Sequence, residues 1–300
     1  MSHRLVRRVR AVPLLVLGAV FGGCDADSAH SIHGALTTLG MEDPPALPPV
    51  AFQIVCDRSV GSPCDHGIAM QTIERIVHVA YERPLSRVEV FVMGEEVATT
   101  RLVASVTVPS RTERGERAAR VAEERFLSSV RPVLCLPLDA ELNRPRTRTS
   151  PIFESLDKVS LTRATTLPVE LFAISDLREV SGVADFECGA LPTTEQLAIR
   201  LRRRGLLALG TYQGTRLHFI VGDGGPVPRR GCPISMGRVR AIQSLFHAAL
   251  TNAGAEEITF ATEVPEVAAV LAARRASAPD AGLTTTSTTT TTTNPTGRTQ

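Results

Sequence analysis

The chain has 300 residues, of which 43% are apolar and 21% charged, with a formal net charge of +2. This suits one globular core of about 200 residues, and so small a net charge gives no overall field to steer nucleic acid or another polyanion. Tryptophan is absent and aromatics make up 4%, so the core is built from Val, Leu, Ile and Ala. Lys158 is the only lysine, a coding bias toward arginine and not a mark of nucleic-acid recognition.

The first segment, "MSHRLVRRVR", is a basic leader with Arg4, Arg7, Arg8 and Arg10, and "AVPLLVLGAVF" is the apolar run behind it. That run is too short for a bilayer, which needs about 20 apolar residues. It closes in "FGGC". Small residues just before a cysteine resemble the lipobox of bacterial lipoproteins. The resemblance implies a signal peptide over 1–24, acylation of Cys24 and a membrane held through lipid. The expected address is the cell envelope, with plain secretion as the second choice. Residues 25–48, with "MEDPPALPPV", form a Pro-rich tether.

Residues 49–275 alternate in period. Apolar residues 50–56 read as a buried strand. "IAMQTIERIVHVAYE" carries a helical stripe. "RVEVFVMG" and "RLVASVTVP" form a hairpin of β-branched runs around Gly94. "TERGERAARVAEERFLSSV" is a charged amphipathic helix. "SPIFESLDKVSL" is a short helix with Ser150 as its N-cap and Pro151 at its first position. "LPVELFAIS" is a strand that runs to Asp176. "PTTEQLAIRLRRRG" is a helix stopped by Gly205, "RLHFIVG" a strand, "SMGRVRAIQSLFHAALTNAGA" a helix and "EITFAT" the last strand. Residues 276–300 read as a Thr-rich disordered tail, since its run "TTTSTTTTTTNPTGRTQ" has no apolar side chains to form a core. This order predicts an α/β fold: a doubly wound, mostly parallel six-stranded sheet with one antiparallel edge strand and helices on both faces.

Five cysteines follow Cys24, so at most two bridges form and one thiol is left over. Cys56 lies within an apolar strand and reads as a small buried hydrophobe. Cys188 and Cys232 lie in loops after strands and are the favoured pair. The absence of CxxC or HxxxH spacing excludes a zinc site.

In such sheets ligands bind at the carboxyl ends of the strands. Asp57 and Asp176 both stand just past such ends, and "DRSVG" and "TRTSPIFESL" add hydroxyls from Ser59, Thr149 and Ser150. An all-oxygen group of this kind suits a hard cation, Mg²⁺ or Ca²⁺. In element order and in these motifs, residues 50–262 resemble the von Willebrand factor A family. The resemblance implies a metal-ion-dependent adhesion site made of Asp57, Ser59, Thr149 and Asp176, and a protein ligand whose acidic residue completes the cation's shell. It also implies that Asp57→Ala abolishes cation-dependent binding with the fold intact. Gly61 stands where the family has a further serine ligand, and Leu177 where it has a glycine, so the site is degenerate.

The reading is therefore an exported, lipid-anchored binding protein that acts in protein–protein interaction or adhesion, not an enzyme and not a binder of nucleic acid. A metal-free accessory envelope lipoprotein is the alternative. A serine hydrolase using Ser59 is disfavoured: no glycine opens the elbow, no oxyanion loop precedes it, and His218 and His247 fall in a strand and a helix.

Overall fold

A computed structural model describes residues 47–108, 116–162, 166–221, 232 and 234–277. The chain divides into Met1–Pro45 and Ala46–Gln300. The leader with Cys24, all but the last two residues of the tether, and the tail from 278 lie outside the described residues.

Six strands form one sheet in the order β3-β2-β1-β4-β5-β6. β1 (Ala51–Asp57), β2 (Arg87–Met93), β4 (Val169–Ile174), β5 (Thr215–Ile220) and β6 (Glu257–Ala261) pair in parallel, and β3 (Arg101–Thr107) is the antiparallel edge. This is the architecture the alternating periods predict. Strands covered on both faces carry unbroken apolar runs, and every residue of β1 is buried.

Two cores flank the sheet. One packs α1 (His66–Tyr81), α2 (Glu116–Leu142) and α6 (Val267–Ser277) on Phe52, Ile54, Val90 and Phe172. The other packs α3 (Ile152–Leu161), α4 (Thr194–Arg203) and α5 (Met236–Asn252) on Val55, Leu171 and Phe219. There Phe246 stacks on Phe153 with centroids 4.4 Å apart. α2 departs from expectation, because it continues through Pro132 and Pro137. Each proline removes a helical hydrogen bond. Val130, Leu134 and Leu138 lie one turn apart, at 5%, 1% and 0% exposure, and their burial holds the helix together across both prolines.

The strands are not wholly apolar. Glu170 is fully buried and accepts from His218 Nε2 at 2.8 Å, while His218 Nδ1 meets Thr259 Oγ1 at 2.9 Å. Arg216 lies beside this pair and donates to the Val270 carbonyl at 3.0 Å, tying α6 to the sheet. These polar groups are buried because each is paired.

β1 hydrogen-bonds to β2 on one side and to β4 on the other. The connections diverge there, which makes the carboxyl ends of β1 and β4 the topological switch point. Two disulfides brace the loops at this edge. Cys56–Cys64 closes the loop after β1 (Cα–Cα 5.7 Å), and Cys188–Cys232 joins the loop after β4 to the approach to α5 (Cα–Cα 5.5 Å). The second pair is the expected one. The first corrects the reading of Cys56 as a plain core residue. Cys135 is the free thiol among the described cysteines. The bridges mark folding in an oxidising compartment, extracellular or within the envelope.

The cysteines of the first bridge are 8 residues apart. Closing so short a loop limits the unfolded chain by about 2.5 kcal/mol. Replacing Cys56 and Cys64 together with serine should lower unfolding stability by about that amount in urea titrations. An unchanged midpoint would show that the bridge adds nothing.

Candidate functional site

β1 delivers Asp57 to the carboxyl edge at 1% exposure. Its Oδ1 accepts the Ser59 N–H at 2.8 Å. Its Oδ2 accepts the Ser150 hydroxyl at 2.9 Å and the Ser175 hydroxyl at 2.7 Å. Ser175 follows β4 directly, one place beyond the Cys56↔Ile174 register pair. One carboxylate thus joins three segments: the loop after β1, the approach to α3 and the turn after β4.

Each segment is further secured. Arg146 donates to the carbonyls of Ser62 at 2.8 Å and Cys64 at 3.1 Å, pinning the disulfide-closed loop. Ser150 pairs with Val180 through two backbone hydrogen bonds of 3.2 and 3.0 Å. In the turn after β4, Ser175 Oγ accepts the Leu177 N–H at 3.1 Å, and Asp176 Oδ1 accepts the Arg178 N–H at 3.1 Å. Leu177 has φ 60°, a left-handed backbone that costs a leucine about 1–2 kcal/mol. Burial of its side chain to 2% exposure offsets that cost.

The expected ligand set is only partly assembled. Asp57 and Ser59 stand together, through the Ser59 backbone N–H and not its hydroxyl. Thr149 does not join them, because its hydroxyl donates to the Glu95 carbonyl at 3.0 Å, and Ser150, one residue on, takes the place beside Asp57. Asp176 reaches the same edge but its Oδ2 faces Arg178 Nε at 3.4 Å, with both side chains under 10% exposed. Ser62 Oγ accepts the Cys64 N–H at 3.2 Å. Gly61 has φ 86°, a conformation that would strain a serine placed there. α1 is capped by Asp65, which accepts the Ile68 N–H, and not by Asp57.

As they stand, these residues are engaged with the protein's own groups. Both oxygens of Asp57 accept protein donors, Thr149 and Ser62 are committed elsewhere, and the second aspartate already faces a guanidinium. Among the described residues no group of three or more His, Cys, Asp or Glu could hold a metal ion. The hydrolase reading gains nothing either. Ser59 is fully buried, and both ring nitrogens of His218 are taken by Glu170 and Thr259.

Ser150 was expected to cap α3, but its hydroxyl is diverted to Asp57, and α3 has no side-chain cap of its own. Glu179 takes over, accepting the Phe153 N–H at 3.0 Å from the loop after β4. Glu179 is fully buried. Burial first, and the neighbouring Glu154 carboxylate second, push its carboxyl well above the usual glutamate range. Hydrogen bonds from Ser181 and from the backbone of Phe153 and Ile152 oppose that rise.

Next to the Asp57 cluster a cavity of about 110 Å³ opens between the ends of β4 and β5 and the start of α5. Asp176, Leu177, Arg178, Val221, Met236 and Val239 form part of its wall. A larger hollow of about 550 Å³ lies between the C-terminal ends of α4 and α5, at the opposite edge.

No family model matches the chain, and no curated protein does. Among solved structures the chain is similar to the D319A mutant of the PilB minor pilin from Streptococcus sanguinis, with a TM-score of 0.39 and 9% sequence identity. The match covers 79% of this chain and 62% of the pilin chain. A likeness this distant transfers no function.

Two outcomes follow. Asp57→Ala strands two buried hydroxyls and a backbone N–H, each costing about 1–3 kcal/mol. The domain should therefore lose roughly 3 kcal/mol or more in denaturant unfolding, where the family resemblance implies an intact fold. A loss under 1 kcal/mol would contradict the clamp. For Glu179, a folded-state pKa above the unfolded one means the folded chain holds the proton more tightly. Its contribution is complete below the unfolded pKa and is lost as pH rises through the folded pKa. Glu179→Gln, which cannot ionise, should gain on the natural chain as pH rises, read as a widening gap in urea midpoints. A constant gap would contradict the shift.

Proposed function

We propose that the chain is an exported, lipid-anchored binding module of von Willebrand factor A type that recognises a protein partner at its carboxyl rim without a divalent cation. The sheet order with its antiparallel β3, and Asp57 and Ser59 at the end of β1, support the family reading. The observation that carries the function is the locking of the rim. Three segments meet on one buried carboxylate, and two disulfides close the loops beside it. A rim ordered in advance has less conformational entropy to lose on binding.

The wall of the 110 Å³ cavity suggests what is recognised. Its apolar residues are Leu177, Val221, Ile234, Met236, Val239 and Ile242, its polar ones Asp176, Arg178, Gln243 and Thr262, and it suits one aliphatic side chain of a partner. Met236 stands at its lip, 67% exposed.

Two measurements test this reading. Cys24→Ala should move the protein from the membrane fraction to the soluble fraction of the envelope; retention in the membrane would overturn the anchor. Full-length protein should capture a discrete envelope partner, and Met236→Asp should reduce that capture by about tenfold or more. Capture indifferent to Met236→Asp would overturn the rim as the binding surface.

A further inference from the structure

On the other side of the Asp57 cluster, the rim concentrates positive charge. Arg58 follows β1, Arg101 opens β3, and Arg144 and Arg146 follow α2. Glu141, at 5% exposure, is the common partner of Arg58, Arg101 and Arg144. Arg58 Nη1 lies 3.5 Å from Glu141 Oε2 and Arg144 Nη2 lies 3.1 Å from Oε1, where Arg101 also pairs. Arg146 uses its guanidinium on the backbone carbonyls of the loop after β1. One carboxylate among four guanidiniums leaves a local excess of three positive charges.

Ion pairing within the fold needs no such excess. The crowding is costly: burial first, then Arg144, Arg101 and Arg146, hold the Arg58 pKa below its ordinary value. Arg58 Nε is itself buried without a hydrogen-bond partner. Arg101 and Arg144 keep half of their side chains in solvent, at 50% and 57% exposure. A low-dielectric wall below and free donors above make a local field that attracts anions. Glu141 shows which anion the donors suit, since it is a carboxylate held by three arginines at once.

We propose that Arg58, Arg101, Arg144 and Arg146 form an anion-binding site that receives the carboxylates of an acidic segment in the partner protein, with Glu141 as its internal occupant. This rests on the reading of the rim as the binding surface and gives that partner a chemistry. Arg101 and Arg144 supply the exposed donors, Arg58 supplies buried charge, and Arg146 fixes the loop that carries Arg58. Glu141 competes for the same guanidiniums and so keeps affinity for stray anions low.

The test uses full-length protein in detergent micelles and a fluorescein-labelled octaglutamate peptide, read by anisotropy. Binding should weaken with salt. Arg101→Ser with Arg144→Ser, both at half-exposed positions, should weaken it by about tenfold or more. Glu141→Gln removes the competing charge and should tighten binding severalfold, a gain that a purely structural ion pair would not give. A thermal midpoint accompanies each variant, and if Glu141→Gln fails to fold, the double arginine variant decides. Unchanged binding in the double variant overturns the site. So does a folded Glu141→Gln without gain, or polyphosphate competing better than unlabelled peptide at equal charge. If the peptide fails to bind while partner capture still depends on Met236, this inference falls and the rim reading stands.

Discussion

The Asp57 carboxylate and its three donors are the constraint on which the rest of the rim depends. Parallel strands bring the ends of β1 and β4 side by side, about 4.8 Å apart, and an unbridged carboxylate at 1% exposure there would be costly. Ser59, Ser150 and Ser175 meet that need from three separate segments. Burial makes each bond stronger than it would be in water, and makes each orphaned group more costly if the carboxylate is lost. The aspartate that the family resemblance assigns to a cation acts here as the knot of the loops.

Other features of the rim follow from that knot. The Ser150 hydroxyl is aimed at Asp57 and makes no cap bond to α3, and Glu179 from the loop after β4 accepts the Phe153 N–H there instead. That choice brings Glu179 against Glu154 in a buried place and raises its hold on a proton. Ser175 Oγ, while donating to Asp57, accepts the Leu177 N–H, and this helps to hold Leu177 in left-handed backbone. Asp176 is then directed to Arg178 and the cavity wall and away from the knot. The disulfides reinforce two of these segments from outside, the loop after β1 and the loop after β4. The two proposed binding surfaces on either side, one apolar and one basic, would therefore be presented without rearrangement.

The sheet was legible in the sequence because its signals are local. Unbroken apolar runs mark doubly covered strands, and β-branched runs around Gly94 mark the edge hairpin. Gly205 and Gly254, at φ 69° and 96°, end α4 and α5 as their type suggests. The rim was legible only to within one residue. Thr149 and Ser150 are adjacent hydroxyls, and backbone pairing of Ser150 with Val180 decides which one faces Asp57. Ser175 gave little warning beyond being a small polar residue at the end of a buried strand. The passage of α2 through two prolines, the burial of Glu170 and His218 and the capping role of Glu179 are all tertiary, since each is set by a partner more than 20 residues away. The arginine cluster leaves no local mark in the sequence, because its members are spread from 58 to 146 in a chain where arginine is common.

Asp57 is satisfied by the protein's own donors, and the binding proposed at the rim needs no cation. Paramagnetic Mn²⁺, added to ¹⁵N-labelled protein while amide signals are followed, tests it most directly. No selective broadening is expected at Ser59, Ser150 and Ser175 when Mn²⁺ is raised to millimolar levels. Broadening confined to those three amides and their neighbours, reversed by Mg²⁺, would contradict it.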